Sequence, residues 1–148
     1  MYKKIFCQYN HFHMTAEIEA VTQKLKQEYD DVSAWGLLAS IDLHNCNTDD
    51  IRNPEKIKQF VIALRDRIKM VRHGDCLIER FGDGELEGYS AFQFIETSSV
   101  TAHFDEKVNN AAYIDIFSCK FFSPFDAEVF CREFFNAQES KLNYLIRK

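Results

Sequence analysis

Gly88-Tyr89-Ser90-Ala91-Phe92-Gln93-Phe94-Ile95-Glu96-Thr97-Ser98-Ser99-Val100-Thr101-Ala102-His103, resumed at Asn110-Ala111-Ala112-Tyr113-Ile114-Asp115-Ile116-Phe117-Ser118-Cys119, decides the reading of the chain. Aromatic and β-branched residues fill it in runs of strand length, and turn-forming residues break the runs. We read strands at 89–95, 99–104 and 112–119, preceded by one at 76–81. Gly82-Asp83-Gly84 and Lys107-Val108-Asn109-Asn110 supply turns between them. Side chains alternate along a strand, so Ser99, Thr101 and His103 share one face. Tyr113, Asp115, Phe117 and Cys119 do the same on a second strand, and Ser90 goes with Phe92 and Phe94.

Upstream, Asn53-Pro54-Glu55 combines a capping residue, a proline at the first helical position and an acid in the first turn. Ile57, Phe60, Val61, Leu64, Ile68 and Val71 then recur at helical spacing, and Gly74 is the expected stop. Arg65, Arg67, Lys69 and Arg72 close this helix and complement its dipole. Residues 34–43 form an apolar run expected to be a buried strand, and it ends in the polar loop 44–50. Residues 3–9 read as a further strand. Thr15 then opens a helix with Glu17 and Glu19 in its first turn and Ile18, Val21, Leu25 and Tyr29 as its apolar stripe. Downstream, Ser123-Pro124 opens a helix with Phe125, Val129, Phe130 and Phe134 on its buried side, and 141–147 reads as a last strand. The expected fold class is α+β, a two-layer α/β sandwich whose mainly antiparallel sheet is covered by helices on one face.

Composition bounds the function. With 148 residues, 46% of them hydrophobic, and only two prolines and five glycines, the chain suits one domain spanning 1–148 with a core of its own. A net charge of −5 argues against a partner held by its phosphate backbone, so no nucleic acid is expected. No run approaches the ~18 apolar residues of a spanning helix, and the start resembles no signal peptide, so no membrane is expected. The five cysteines (Cys7, Cys46, Cys76, Cys119, Cys131) are odd in number, and none are spaced as Cys-x-x-Cys, which fits free thiols and a cytoplasmic location. Gly82-x-Gly84 lacks the third glycine and following helix of a dinucleotide fingerprint. His11-x-His13 lacks companion ligands, so no metal is expected.

The quoted stretch resembles the core of the prokaryotic pyruvoyl-dependent S-adenosylmethionine decarboxylases. That core runs glycine-x-serine, a hydrophobic strand, glutamate-serine-histidine, x-threonine-x-histidine, then alanine-x-aspartate-x-phenylalanine-threonine-cysteine. Upstream, Gly36-Leu37-Leu38-Ala39-Ser40-Ile41-Asp42-Leu43-His44-Asn45-Cys46-Asn47 looks like the family's opening strand and the turn after it. Residues 36–148 then amount to about one prokaryotic subunit, and 1–35 form a strand-helix addition.

The resemblance implies that Ser98 becomes the pyruvoyl group when the chain cleaves itself between Thr97 and Ser98, yielding chains 1–97 and 98–148. Ser98 would attack the Thr97 carbonyl, and β-elimination and hydrolysis would follow. The pyruvoyl carbonyl would form a Schiff base with the amine of S-adenosylmethionine and accept the electrons left by loss of CO2, in the service of spermidine synthesis. Ser90 and His103 would assist self-cleavage, Cys119 would return a proton to the substrate, and Ser99 and Phe81 would contribute to substrate binding, Phe81 by stacking on adenine. The resemblance also implies a homodimer.

Three departures mark this chain. Thr97 replaces the glutamate before the cleaved bond, with Glu96 one position early. Ser99 stands where the prokaryotic members have histidine. Phe104-Asp105-Glu106 replaces tryptophan-proline-glutamate, and Cys119 lies one residue further on. They leave open a non-processing homologue acting as a binding or regulatory subunit, and a pyruvoyl-dependent decarboxylase of another amino acid.

Overall fold

The computed structural model describes the backbone of residues 2–148 and the side chains from Thr15 onward. The elements are α1 (Tyr2–Asp31), β1 (Gly36–His44), α2 (Thr48–Ile51), α3 (Pro54–Arg67), β2 (Arg72–Phe81), β3 (Gly88–Ile95), β4 (Ser98–Asp105), β5 (Ala111–Ser118), α4 (Pro124–Phe134) and β6 (Glu139–Arg147), with a short 3-10 turn at Gly84–Leu86. The six strands form one sheet in the order β2-β3-β4-β5-β1-β6, with every neighbouring pair antiparallel. Helices α3 and α4 pack on one face, and α1 packs on α4. This is the expected α+β sandwich.

Period-two alternation sorts the side chains. Leu37, Ala39, Ile41 and Leu43 of β1 are fully buried under the helices, and so are Ile114 and Ile116 of β5 and Val100 and Ala102 of β4. The residues between them face away from the helices. On that open face Leu77, Phe81, Phe94 and Leu145 are each more than half exposed.

Helix α3 starts as the sequence predicts, with the Asn53 side chain accepting from the amides of Glu55 and Lys56. Its end comes earlier. Lys69 takes positive φ (58°), its amide donates to the Asp66 carbonyl, and the amide of Met70 donates to that of Arg65. This pair of bonds is a Schellman closure made without glycine. Val71 therefore leaves the helical stripe and is 56% exposed. Gly74, the expected stop, sits inside β2 at φ 74°, where the register with β3 shifts between His73 and Leu77, so its conformational freedom serves a bulge.

Three further expectations are corrected. Segment 3–9 is the beginning of α1 and not a strand, because no glycine or proline interrupts the chain between Tyr2 and Asp31. The described inward row of α1 is Ile18, Thr22, Leu25 and Tyr29, while Val21 points outward. In α4 the fully buried row is Ala127 and Cys131, continued by Phe135. Phe130 and Phe134 are partly buried and lie against the ring of Phe60.

Gly88 leaves no room for a side chain against β4. A Cβ built there would lie 2.2 Å from the carbonyl oxygen of Phe104, a backbone atom held in a ladder. Gly88→Ala is expected to cost about 1–3 kcal/mol by overpacking, read as a lower urea midpoint at unchanged m.

Candidate active site

The residues singled out by sequence fall into two clusters. The first lies at the hairpin joining β3 to β4. Ile95 and Ser98 are paired, which leaves Glu96 and Thr97 as the turn. Thr97 has positive φ (57°), a region that costs a non-glycine residue about 1–3 kcal/mol and is least suited to a β-branched one. Its hydroxyl donates to the Glu96 carbonyl at 2.7 Å. Ser98 is buried, facing the helices, and its Oγ accepts the backbone amide of Cys119 at 3.2 Å. The Cys119 thiol donates to the carbonyl oxygen of Thr97 at 3.0 Å. One residue just past the end of β5 thus holds both the hydroxyl and the carbonyl that flank the Thr97–Ser98 bond.

This hairpin borders a recess of about 520 Å³ lined by His73, Phe94, Ile95, Glu96, Thr97, Ser98, Ser99 and Phe117. Ser99 opens onto it from the open face of the sheet. Trp35, which sequence reasoning passed over, stacks on Phe117 with ring centroids 5.7 Å apart and is 63% exposed. Its only sequence signal is that it is the chain's single tryptophan, beside the opening strand.

The second cluster lies toward the other end of β4. Ser90 and His103 are directly opposite across the β3–β4 ladder, and Ser90 Oγ lies 2.8 Å from His103 Nδ1, the imidazole tautomer deciding which atom donates. Both border a cavity of about 440 Å³, whose wall also includes Phe81, Tyr89, Asp105 and Tyr113. Phe81 is 60% exposed at this cavity. Arg80 ties the surrounding loops together through a two-point ion pair with buried Glu106 and a bond to Glu87. That bond to Arg80 holds the Glu87 carboxyl below its ordinary range.

The five residues from Ser98 to His103 separate the clusters by roughly 16 Å at about 3.3 Å per strand residue. Within one chain the structure therefore joins Thr97, Ser98, Ser99 and Cys119, and separately joins Ser90, His103 and Phe81, but does not join the two sets.

The other described thiols are poorly suited to chemistry. Burial pushes the Cys46 thiol up to about 11 and raises those of Cys131 and Cys76 as well. These groups stay protonated at neutral pH. Among the described residues no group of three or more His, Cys, Asp or Glu side chains could hold a metal ion, and no helix is long and apolar enough to cross a membrane.

Three comparisons with known proteins bear on these clusters. The profile of the family described as S-adenosylmethionine decarboxylase matches residues 38–148. Among curated proteins none matches the sequence significantly. Among solved structures, the adenosylmethionine decarboxylase from Aquifex aeolicus VF5 superposes with a TM-score of 0.66 at 16% sequence identity, over 77% of this chain and 91% of that one.

Proposed function

The chain belongs to the S-adenosylmethionine decarboxylase family, and from that premise we propose that it is a pyruvoyl-dependent decarboxylase of S-adenosylmethionine serving spermidine synthesis, matured by self-cleavage between Thr97 and Ser98. The observation that carries this reading is the double hold of Cys119 on the scissile bond, thiol to the Thr97 carbonyl and amide to the Ser98 hydroxyl. The donor set fits the group that Ser98 would become: a hydroxyl adjoins its target carbonyl, and a proton donor already lies on that carbonyl's oxygen.

In the maturation step Ser98 Oγ adds to the Thr97 carbonyl carbon, and the C–N bond breaks to leave an ester and a free amine. Loss of the Ser98 α-proton then expels the Thr97 carboxylate, and hydrolysis releases ammonia. The Cys119 thiol stabilises charge on the Thr97 oxygen while the tetrahedral centre exists. The left-handed conformation of Thr97 raises the energy of the intact turn, which favours rearrangement. Its branched side chain crowds the same carbonyl and opposes attack. The finished pyruvoyl group supplies an electrophilic carbonyl that accepts the electrons released with CO2. Cys119, next to the new chain start, is the thiol that returns a proton to the substrate α-carbon.

The roles proposed for Ser90 and His103 call for a second copy of the chain, because their own Ser98 is out of reach. The open face of the sheet carries Ser90, His103 and Ser99 and exposes Leu77, Phe81 and Phe94, a surface suited to pairing two sheets. We expect a homodimer by sedimentation and a monomer for Phe94→Asp, which puts a charge among the exposed apolar side chains of that face. An unchanged dimer in the variant would exclude this face as the interface.

Incubating the purified full-length protein with carboxyl-labelled S-adenosylmethionine tests the whole reading. Release of labelled CO2 well beyond one per chain is expected. A persistently uncleaved chain that releases none would be a binding or regulatory homologue. A cleaved chain inert to this substrate would turn attention to ornithine, arginine and lysine.

A further inference from the structure

Helix α1 lies outside the residues matched by the family profile, yet its inward face meets the segment that carries Cys119. β5 ends at Ser118, and residues 119–123 run from there to the start of α4. The contacts of α1 fall on three alternate residues of this segment. The Tyr29 hydroxyl donates to the Cys119 carbonyl at 3.3 Å. The Tyr29 ring meets that of Phe121 edge-on at 5.5 Å, and the Lys26 ammonium lies over the same Phe121 ring. The Thr22 and Ser123 hydroxyls are 2.6 Å apart, and Ser123 is the cap of α4.

The spacing makes this a directed dock. Residues 22, 26 and 29 follow one another along one side of a helix and meet residues 123, 121 and 119 in turn, so the helix runs antiparallel to the segment it docks on. Leu25, 2% exposed, anchors the row between them. The Tyr29 hydroxyl holds the Cys119 carbonyl, adding to the hold that Ser98 has on its amide. Burial raises the Tyr29 phenol above its ordinary value, so it remains a donor at neutral pH.

We propose that Tyr29 is a positioning residue, and α1 a strut, that hold the Cys119 thiol on the Thr97 carbonyl. This rests on the reading of Cys119 as the working thiol, but its test needs no turnover. The protein is alkylated with iodoacetamide at neutral pH directly after purification, and in the chains still intact at Thr97–Ser98 the rate at Cys119 is taken relative to that at half-buried Cys76 on β2, by mass spectrometry. Tyr29→Phe keeps the ring on Phe121 and loses only the hydroxyl. It is expected to melt within about 2 °C of the parent while raising the Cys119-to-Cys76 ratio about threefold, the scale of one modest hydrogen bond. Tyr29→Ala is expected to raise the ratio about fivefold or more.

A parental ratio in Tyr29→Phe overturns the proposal, because a merely packed tyrosine is replaced by phenylalanine without effect. A parallel rise at both thiols in Tyr29→Ala also overturns it, as general loosening. The phenylalanine variant decides the matter alone if the alanine variant does not fold. The expected ratios in a protein that releases no CO2 would uphold the strut and defeat the decarboxylase reading.

Discussion

Ser98→Ala is expected to persist as a single 17.4 kDa chain where the parent resolves on a denaturing gel into fragments of about 11 and about 6 kDa, in proportion to the 97 and 51 residues on either side of the bond. The effect should be all or none. Removal of Oγ deletes the attacking atom, whereas the fold loses only one bond, from the Cys119 amide. That loss is worth about 1 kcal/mol, so the variant should melt close to the uncleaved parent and show an intact mass equal to the full chain. Fragments in Ser98→Ala would place the reactive residue elsewhere. Ser99 would be the next candidate, its hydroxyl acting on the Ser98 carbonyl and so moving the break one residue downstream.

The second large effect is expected at Cys119. Cys119→Ala keeps the backbone amide that holds Ser98 and loses the thiol that reaches the Thr97 oxygen at 3.0 Å. Fragments should still form, more slowly. Turnover of S-adenosylmethionine by the cleaved protein should fall by ~10²–10⁴, the usual contribution of a placed general acid, or about 3–5 kcal/mol of barrier. KM should change little, since the thiol is proposed to act on the reacting carbon and not on the body of the substrate. Steady-state CO2 release on pre-cleaved protein separates this loss from slow maturation. Turnover within about threefold of the parent would remove Cys119 from the chemistry.

Much of the fold was legible because its signals are local. Asn53-Pro54-Glu55 and Ser123-Pro124 start helices for reasons contained in those residues. The strand alternation predicted which side chains share a face, and Ser99, Thr101 and His103 do share the open one. The misread features depend on tertiary context. Lys69 closes α3 in a conformation that usually selects glycine, so the sequence pointed to Gly74, five residues too late. Segment 3–9 continues without a break into the helix that Thr15 was expected to open, and pairs with neither edge strand of the sheet. For the site, family likeness singled out Ser98 and Cys119, which the structure brings within hydrogen-bond reach of each other. The separation of Ser90 and His103 from Ser98 could not, because a motif written along one line does not tell how far apart its members lie in space. Tyr29 was visible as part of an apolar stripe, but its bond to Cys119 depends on where α1 docks.

The strand order has a consequence for the proposed maturation. A break after Thr97 would assign β1, β2 and β3 to one polypeptide and β4, β5 and β6 to the other. Because β1 lies between β5 and β6, and β3 lies against β4, the two polypeptides would be interleaved like the fingers of clasped hands. Neither could depart without tearing three ladders at once, so scission would alter the covalent chain without loosening the particle, and the two pieces should travel together until denatured.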